Sequence, residues 1–449
     1  MLRYALPLLL FAGSCFAADT VRRDEAARMD ETIAAYANAG EFMGTVLVAR
    51  GDRVVLSKGY GSANLEWNIA NAPSTRLRLG SITKQFTAAA ILLLEERGKL
   101  RIDDPVKKYL PDAPAAWDKI TIFHLLTHTS GIPNYTGFAE YPSIEPFAKT
   151  PGELLALFRD KPLDFAPGEQ WSYSNSGYTV LGCLIEKLGG VSYGEFLREN
   201  IFDPLGMKDS GYDANRRILA RRASGYVPDV HGFVNAGYVD MSIAFADGGL
   251  YSTTEDLLRW QRGLFGGKLL GAASLAKMTT PFKSDYALGV EVHGTGAGQM
   301  IEHDGHTEGF DTTLAYYPAQ KLTVIVLGNV NSSAPQKIAA DLGAIARGGN
   351  VALHTARKEV NLPAALLAEY RGVYRLRPGL DVAVTLEGDH LMAQGTGQRK
   401  YPLFAESETT FYYKVIEGRI EFVRGKDGKV ERFILHQGGD MPALRLPPP

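Results

Sequence analysis

Ser81 and Lys84 stand three residues apart in Leu79-Gly80-Ser81-Ile82-Thr83-Lys84-Gln85-Phe86. They open a run from Thr83 to Leu94, rich in alanine and leucine, that predicts a helix closed at Gly98. Residues i and i+3 share a helix face, so the hydroxyl and the amine are expected to point the same way. At a helix N-terminus the N–H groups lack helical partners and the dipole favours negative charge, which suits a developing oxyanion. A serine is a weak nucleophile until a neighbour takes its proton. A lysine can do so only when neutral. Bringing its pKa from about 10.4 toward 7 costs about 4–5 kcal/mol, which burial and neighbouring groups must supply. Ser-x-x-Lys is short, and a second copy, Ser274-Leu275-Ala276-Lys277, falls in an expected surface helix with no partners downstream. The chemistry therefore needs further polar groups that converge on Ser81. Two stretches offer them: Trp171-Ser172-Tyr173-Ser174-Asn175, on a turn between Pro167-Gly168 and a helix starting near Ser176, and His303-Asp304-Gly305, at a strand end.

Rival chemistries have weaker support. His124 and His128 are i and i+4 in an expected helix from Ile120 to Gly131, a spacing that can ligate zinc, but no Glu-x-x completes a metalloprotease motif. Packed or surface histidines are the expectation there. Glu302, His303, Asp304 and His306 form a tight cluster, yet strand alternation sends neighbours to opposite faces. No Gly-x-Ser-x-Gly stretch supports an α/β-hydrolase. No metal and no cofactor are implied.

The elements that must position these groups follow from the pattern. A helix near Asp24 to Ala39 precedes a hairpin, Gly44 to Ala49 and Val54 to Tyr60, turned at Arg50-Gly51-Asp52-Arg53. Helices dominate the middle, with start signals at Thr150-Pro151-Gly152-Glu153 and Ser192-Tyr193-Gly194-Glu195. Four strands then read as an antiparallel meander: Leu288 to His293, Gln299 to His303, Thr312 to Tyr317 and Leu322 to Leu327. A helix from Ala334 to Arg347 follows. The economical arrangement is one antiparallel sheet made from both ends of this segment, flanked by helices, with a helical subdomain inserted. Beyond Leu366 seven short strands predict a separate all-β barrel or sandwich. The expected boundaries are a signal peptide at 1–17, a hydrolase domain at 25–346, a linker at 347–364 and a small barrel at 365–449.

Ser81-x-x-Lys84, Tyr173-x-Asn175 and His303-x-Gly305 occur in the order of the three motifs of the serine β-lactamase and penicillin-binding-protein superfamily, which the chain resembles. The tyrosine of the second motif is similar to that of the class C branch and its relatives: D-Ala-D-Ala carboxypeptidases, D-aminopeptidases and esterases of the same fold. Leu125-Leu126-Thr127-His128-Thr129-Ser130-Gly131 and Gly248-Gly249-Leu250-Tyr251-Ser252-Thr253 match the family surroundings. The likeness spans residues 30–345. It implies an α+β, β-lactamase/transpeptidase-like fold, and the C-terminal part resembles the lipocalin-like barrel that some of these hydrolases carry. It also implies roles: Ser81 as acylated nucleophile, Lys84 and Tyr173 as the proton-handling pair, Asn175 on the substrate amide and the lysine. The N–H groups of Ser81 and of His306, which follows Gly305, would form the oxyanion hole, and His303 would line the pocket. Two departures matter. His303 replaces the permanent cation of a lysine with a side chain largely neutral at pH 7, which weakens penicillin turnover and leaves esters, amides and small peptides open. No Glu-x-x-Leu-Asn supports class A deacylation. The rivals from other classes are an esterase or true β-lactamase of the same fold and a non-catalytic sensor or scaffold.

Composition narrows the partners. A formal net charge of -2, with no basic cluster interleaved with aromatics, argues against nucleic acid and leaves a small-molecule or short-peptide substrate. Arg3, the apolar run Leu6 to Ala12 and Cys15-Phe16-Ala17 read as an export signal cut after Ala17, implying a periplasmic or secreted protein. The alternative, a lipid anchor on Cys15, has alanine where leucine is usual. Once the signal is removed Cys183 is the single cysteine, so no internal disulfide is expected. No other stretch is apolar and long enough to span a membrane.

Overall fold

The computed structural model describes the backbone of residues 13–447 and the side chains of residues 24–447. The expected export signal lies largely outside the described residues. The chain enters through helix α1 (Gly13–Asn38) and the hairpin β1 (Gly44–Arg50) and β2 (Arg53–Tyr60). Helix α2 (Thr83–Glu96) carries Lys84 and is preceded by a single 3₁₀ turn, Gly80–Ile82, that holds Ser81. The helical region contributes α3 (Ile122–Leu126), α4 (Asn175–Gly189) and the short α5 (Phe245–Gly248). The chain returns to the sheet in β3 (Glu291–His293), β4 (Met300–Thr307), β5 (Phe310–Tyr317) and β6 (Leu322–Gly328), and then forms α6 (Ala334–Ala346).

The sheet is antiparallel and six-stranded in the order β3–β4–β5–β6–β1–β2. Its seam is the pairing of β1 with β6, from Gly44↔Gly328 to Arg50↔Leu322. Alternation along β1 explains why this strand is apolar throughout. Val46 and Val48 pack with Met29, Ile33, Ile338 and Leu342 of α1 and α6, whereas Leu47 and Ala49 join the core around α2. A strand covered on both faces loses the polar half of its pattern. The same logic applies to α2. Residues Thr83 to Leu94 are all buried; the apolar run from Ala88 to Leu94 suits a helix covered on every side, and Lys84 and Gln85 near its start find hydrogen-bond partners in the core. Phe86 stacks on Trp260 at 4.0 Å, and the Trp260 indole donates to Gln85 Oε1 at 3.0 Å. Gly98, at φ +66°, ends the helix in the left-handed region that glycine tolerates.

Two expectations are corrected. The helix read from Ile120 to Gly131 stops at Leu126, and His128 adopts φ +57°. His124 and His128 therefore share no helix face. His124 closes a capping box with Thr121, accepting on Nδ1 from the Thr121 N–H. The strand read as ending at His303 continues to Thr307 through Gly305.

The C-terminal region forms a closed barrel: β7 (Gly372–Arg377), β8 (Leu380–Glu387), β9 (His390–Gly395), β10 (Lys400–Ala405), β11 (Thr410–Tyr412), β12 (Arg419–Arg424), β13 (Val430–His436) and β14 (Asp440–Arg445). The eighth strand escaped the sequence reading because Pro442 interrupts it. It closes the ring by pairing with β7, Tyr374↔Arg445. Tyr370, Tyr374, Phe411, Phe422 and Phe433 pack in the interior, and Leu367, Leu391, Leu403 and Phe411 also border a cavity of about 120 Å³. Glu417 joins it to the rest of the chain, accepting from Ser333 at 3.2 Å and Arg357 at 2.7 Å and pairing with Lys337.

Candidate active site

Ser81 opens onto a cleft of about 270 Å³ whose walls include Tyr135, Asn175, Asp247, His306 and Glu308. The serine sits on a turn that only glycines permit. Gly80 has φ +55°, and a Cβ there would lie 2.6 Å from the His306 nitrogen. A Cβ on Gly305 would lie 1.9 Å from the Leu79 oxygen. The Ser81 turn and β4 thus approach backbone to backbone, as an interior strand glycine signals. Thr312 fastens the contact by donating to the Leu79 carbonyl at 2.8 Å.

Beyond Glu302 strand β4 has no strand neighbour on its β3 side among the described residues, so 303–307 form a free edge. Hydrogen-bonded and non-bonded pairs alternate in an antiparallel ladder. Thr307↔Phe310 closes the loop, which makes His306↔Asp311 a non-bonded pair. The His306 N–H accordingly points off the sheet, toward the Ser81 turn.

Lys84 is fully buried. Its ammonium donates to Ser81 Oγ at 3.0 Å, Asn175 Oδ1 at 2.8 Å and the Asp247 carbonyl at 2.7 Å. Burial pulls its pKa from 10.5 down to about 8, against the upward pull of the Asp247 carboxylate. Asn175 is itself held twice. Its N–H donates to Asn134 Oδ1, and its Nδ2 donates to Thr136 Oγ1, both at 3.0 Å. The Tyr173 ring lies 4.8 Å from Lys84 Nζ. Its hydroxyl is buried and completes no hydrogen bond among the described residues. Burial raises its pKa far above 10, with only a partial downward pull from nearby Ser81, so Tyr173 is a phenol and not a phenolate. Catalytic hydrogen bonds are often unformed before substrate binds.

His303 is placed differently from the sequence expectation. It is buried against Tyr173 and Tyr286 rather than lining the cleft. Its Nδ1–H donates to the Asp304 carbonyl at 2.6 Å, which leaves Nε2 to accept from the Tyr286 hydroxyl at 3.0 Å. Burial, then the Lys84 charge, push its pKa down to about 3. The ring is neutral. Its neighbours Glu302 and Asp304 turn to the other face, into a groove beside α6. Glu302 there meets Glu291 and His293, not the histidines adjacent in sequence.

Three contributors had no signal in the spacing. His128 accepts on Nδ1 from the Ser174 N–H at 3.1 Å, and its ring lies 4.3 Å from that of Tyr173. It fixes the turn between Tyr173 and Asn175, and only its left-handed backbone aims it there. Asp247 supplies its backbone carbonyl to Lys84 and accepts from the Tyr135 hydroxyl at 2.9 Å. Burial lifts its carboxyl to about 7. The turn that delivers it starts at Phe245, φ +31°, a backbone state worth about 1–3 kcal/mol of strain. Tyr193 and Tyr212 hold that ring in place, at 5.3 and 6.3 Å. Glu308, the third, stands on the cleft wall two residues past His306.

Comparison with known proteins agrees with this geometry. A family model described as Beta-lactamase matches residues 26–347, and one described as Domain of unknown function (DUF3471) matches residues 356–444. The chain is 31% identical over 428 residues to Penicillin-binding protein 4* of Bacillus subtilis (strain 168), covering 89% of this chain and 94% of that protein. Among solved structures, a penicillin binding protein from Bacillus halodurans superposes with a TM-score of 0.64 at 30% identity, over 71% of this chain and 98% of that one. A D-stereospecific amidohydrolase from Streptomyces sp. does so with a TM-score of 0.58 at 26% identity, over 69% of this chain and 97% of that one. With its Ser81 turn, central helix and mixed sheet-and-helix core, the chain belongs to the β-lactamase and penicillin-binding-protein family of serine hydrolases.

Proposed function

We propose that the protein is an exported serine hydrolase that cleaves an amide, peptide or ester bond through a Ser81 acyl-enzyme, in the manner of a class C-like peptidase or carboxypeptidase. The observation that carries this reading is the buried Lys84 amine shared by Ser81, Asn175 and the Asp247 carbonyl. As an ammonium it has three protons for three acceptors. As a neutral amine it keeps two N–H donors for Asn175 Oδ1 and the Asp247 carbonyl, and its lone pair falls to the Ser81 hydroxyl. The surroundings therefore direct the base at the nucleophile.

The reaction follows from that arrangement. Ser81 Oγ attacks the carbonyl carbon and gives its proton to Lys84 Nζ. The N–H groups of Ser81 and His306 receive the oxyanion, each such donor being worth about 3–4 kcal/mol. The tetrahedral adduct collapses, and the leaving amine or alcohol takes the proton from Lys84. Water then attacks the Ser81 ester and returns a proton by the same route. Tyr173, held as a phenol, relays or steadies that proton, and Lys84 is the better base of the two. Substrate choice is limited by charge. The cleft wall carries the carboxylates of Glu145, Asp247 and Glu308; the buried His303 is neutral, and the wall's cation, His306, raised to about 9 by Asp311, is already paired with that carboxylate at 2.7 Å. Export rests on the leader-like residues 1–17.

A hydrolysis panel tests the reading: short-chain nitrophenyl esters, D-aminoacyl anilides, D-Ala-D-Ala peptides and a chromogenic cephalosporin, each with Ser81→Ala as control. Esters or amides should turn over with the cephalosporin slowest. Equal rates for wild type and Ser81→Ala on every compound exclude it.

A further inference from the structure

The barrel touches two residues of the cleft wall, Glu145 and Glu308. The turn between β9 and β10 reaches the helical subdomain, and a Cβ on its Gly397 would stand 3.2 Å from Ala139 Cα. Two residues on, Arg399 enters the acidic end of the cleft. Its Nη2 pairs with Glu145, and its Nε lies 3.1 Å from Glu308 Oε1. The guanidinium is fitted closely, since a Cβ on Gly237 would meet Nη1 at 2.3 Å. Glu145 and Glu308 are only 5% and 13% exposed, and both belong to the wall that includes Ser81.

Charge and burial together say what this contact does. Two carboxylates face one guanidinium, so the seat remains acidic even when occupied. Glu308 Oε2 is buried with no hydrogen-bond partner among the described residues, an arrangement that costs about 1–3 kcal/mol or more for a charged group. Burial pushes the Glu308 carboxyl up while Arg399 holds it down. Glu308 lies two residues past His306, at the tip of the β4–β5 loop, so the seat lies on the same wall as the proposed oxyanion hole. The barrel's own cavity, about 120 Å³ beside Leu391, Leu403 and Phe411, is lined by none of the residues that line the Ser81 cleft.

We propose that Arg399 is a specificity-determining residue lent by the barrel: its guanidinium fills the acidic end of the acyl cleft and excludes acyl groups that carry a cation or extend that far. The barrel is then a wall of the active site. Removing the side chain leaves an anionic seat sized for a guanidinium or ammonium group. The kinetic arm rests on the serine-hydrolase reading above; the binding arm does not.

The test uses the full chain. In the kinetic arm, kcat/KM is compared for hexanoyl and 6-aminohexanoyl nitrophenyl esters. Arg399→Ala should raise the ratio of the cationic to the neutral ester at least tenfold over wild type. Added guanidinium chloride, against a sodium chloride control, should bring the ratio back, and Arg399→Lys should stay near wild type. Arg399→Met, which keeps the volume without the charge, serves if the alanine variant folds poorly. In the binding arm, calorimetry measures hexylammonium and hexanol on Ser81→Ala and on Ser81→Ala/Arg399→Ala. Hexylammonium should bind the double variant at least tenfold more tightly, with hexanol changing less. Unchanged ratios, no guanidinium effect or equal hexylammonium affinities overturn the proposal. If wild type hydrolyses neither ester, the binding arm alone decides this proposal; if the whole hydrolysis panel is inert as well, the hydrolase reading fails and the binding arm still decides this one.

Discussion

The pH dependence of Ser81 acylation tests the base most directly. In water a lysine with a pKa of 10.5 is almost wholly charged at pH 7, whereas Lys84 falls to about 8. The difference is about 3 kcal/mol in the work of removing its proton. About a tenth of the enzyme then holds a neutral amine at pH 7, some 300-fold more than an unperturbed lysine would give. The sign is fixed: the base is active when deprotonated, so acylation rises with pH. The rate of fluorophosphonate labelling of Ser81, followed by intact-mass spectrometry, should climb about tenfold per pH unit up to pH 7 and level off near pH 8. Asp247→Asn should move the midpoint to lower pH, because the carboxylate stabilises the ammonium. Lys84→Ala should lose the limb altogether. A flat profile between pH 6 and 9, a midpoint near 10, or the same slope in Lys84→Ala would refute the assignment.

Asn175→Ala removes an acceptor of the lysine and a link to Thr136. It should lower kcat/KM about 10- to 100-fold, the value of one or two hydrogen bonds to a charged group, with Tm as a control for folding. Gly305→Ala places a methyl group against the Leu79 carbonyl. It should reduce stability by about 1–3 kcal/mol and slow Ser81 labelling, both read from one preparation by urea unfolding and mass spectrometry. His303 has a folded pKa of about 3 against 6.5 unfolded. The unfolded chain therefore binds the extra proton, and folding is weakened as pH falls below 6.5. The stability advantage of wild type over His303→Gln should shrink by about 1.4 kcal/mol per pH unit in that range, as measured by urea midpoints.

Much of the fold was legible because its signals are local. The hairpin, the meander and the two helices beside them each carry their period in a few consecutive residues, and their sum permits one economical sheet. Ser81 and Lys84 were legible for the same reason, since a three-residue spacing at a helix start forces proximity. Gly305 shows the limit. The glycine could be seen, but the Leu79 carbonyl that requires it is more than two hundred residues away. His128 was expected only as a packed or surface histidine of a helix, and its left-handed backbone, which sends the ring toward Ser174, had no signal in the sequence. Asp247 lies beside the glycines of a recognised stretch, yet its partner Lys84 is reached only through the folded core. Arg399 lies still further out. Nothing in a turn of a small barrel announces that its guanidinium meets Glu145 and Glu308. The last barrel strand was hidden by Pro442, which a short edge-like pairing tolerates.

The seam between β1 and β6 also bears on how the molecule comes into being. Its registered pairs join residues 44–50 to 322–328, so the first hairpin must wait for the far end of the hydrolase region. Closing a loop of that length opposes folding by about 5 kcal/mol of chain entropy, and such distant pairings slow the search. On the ribosome, the apolar helix α2 would emerge long before its sheet exists. A nascent chain halted short of residue 328 should remain protease-sensitive around Ser81.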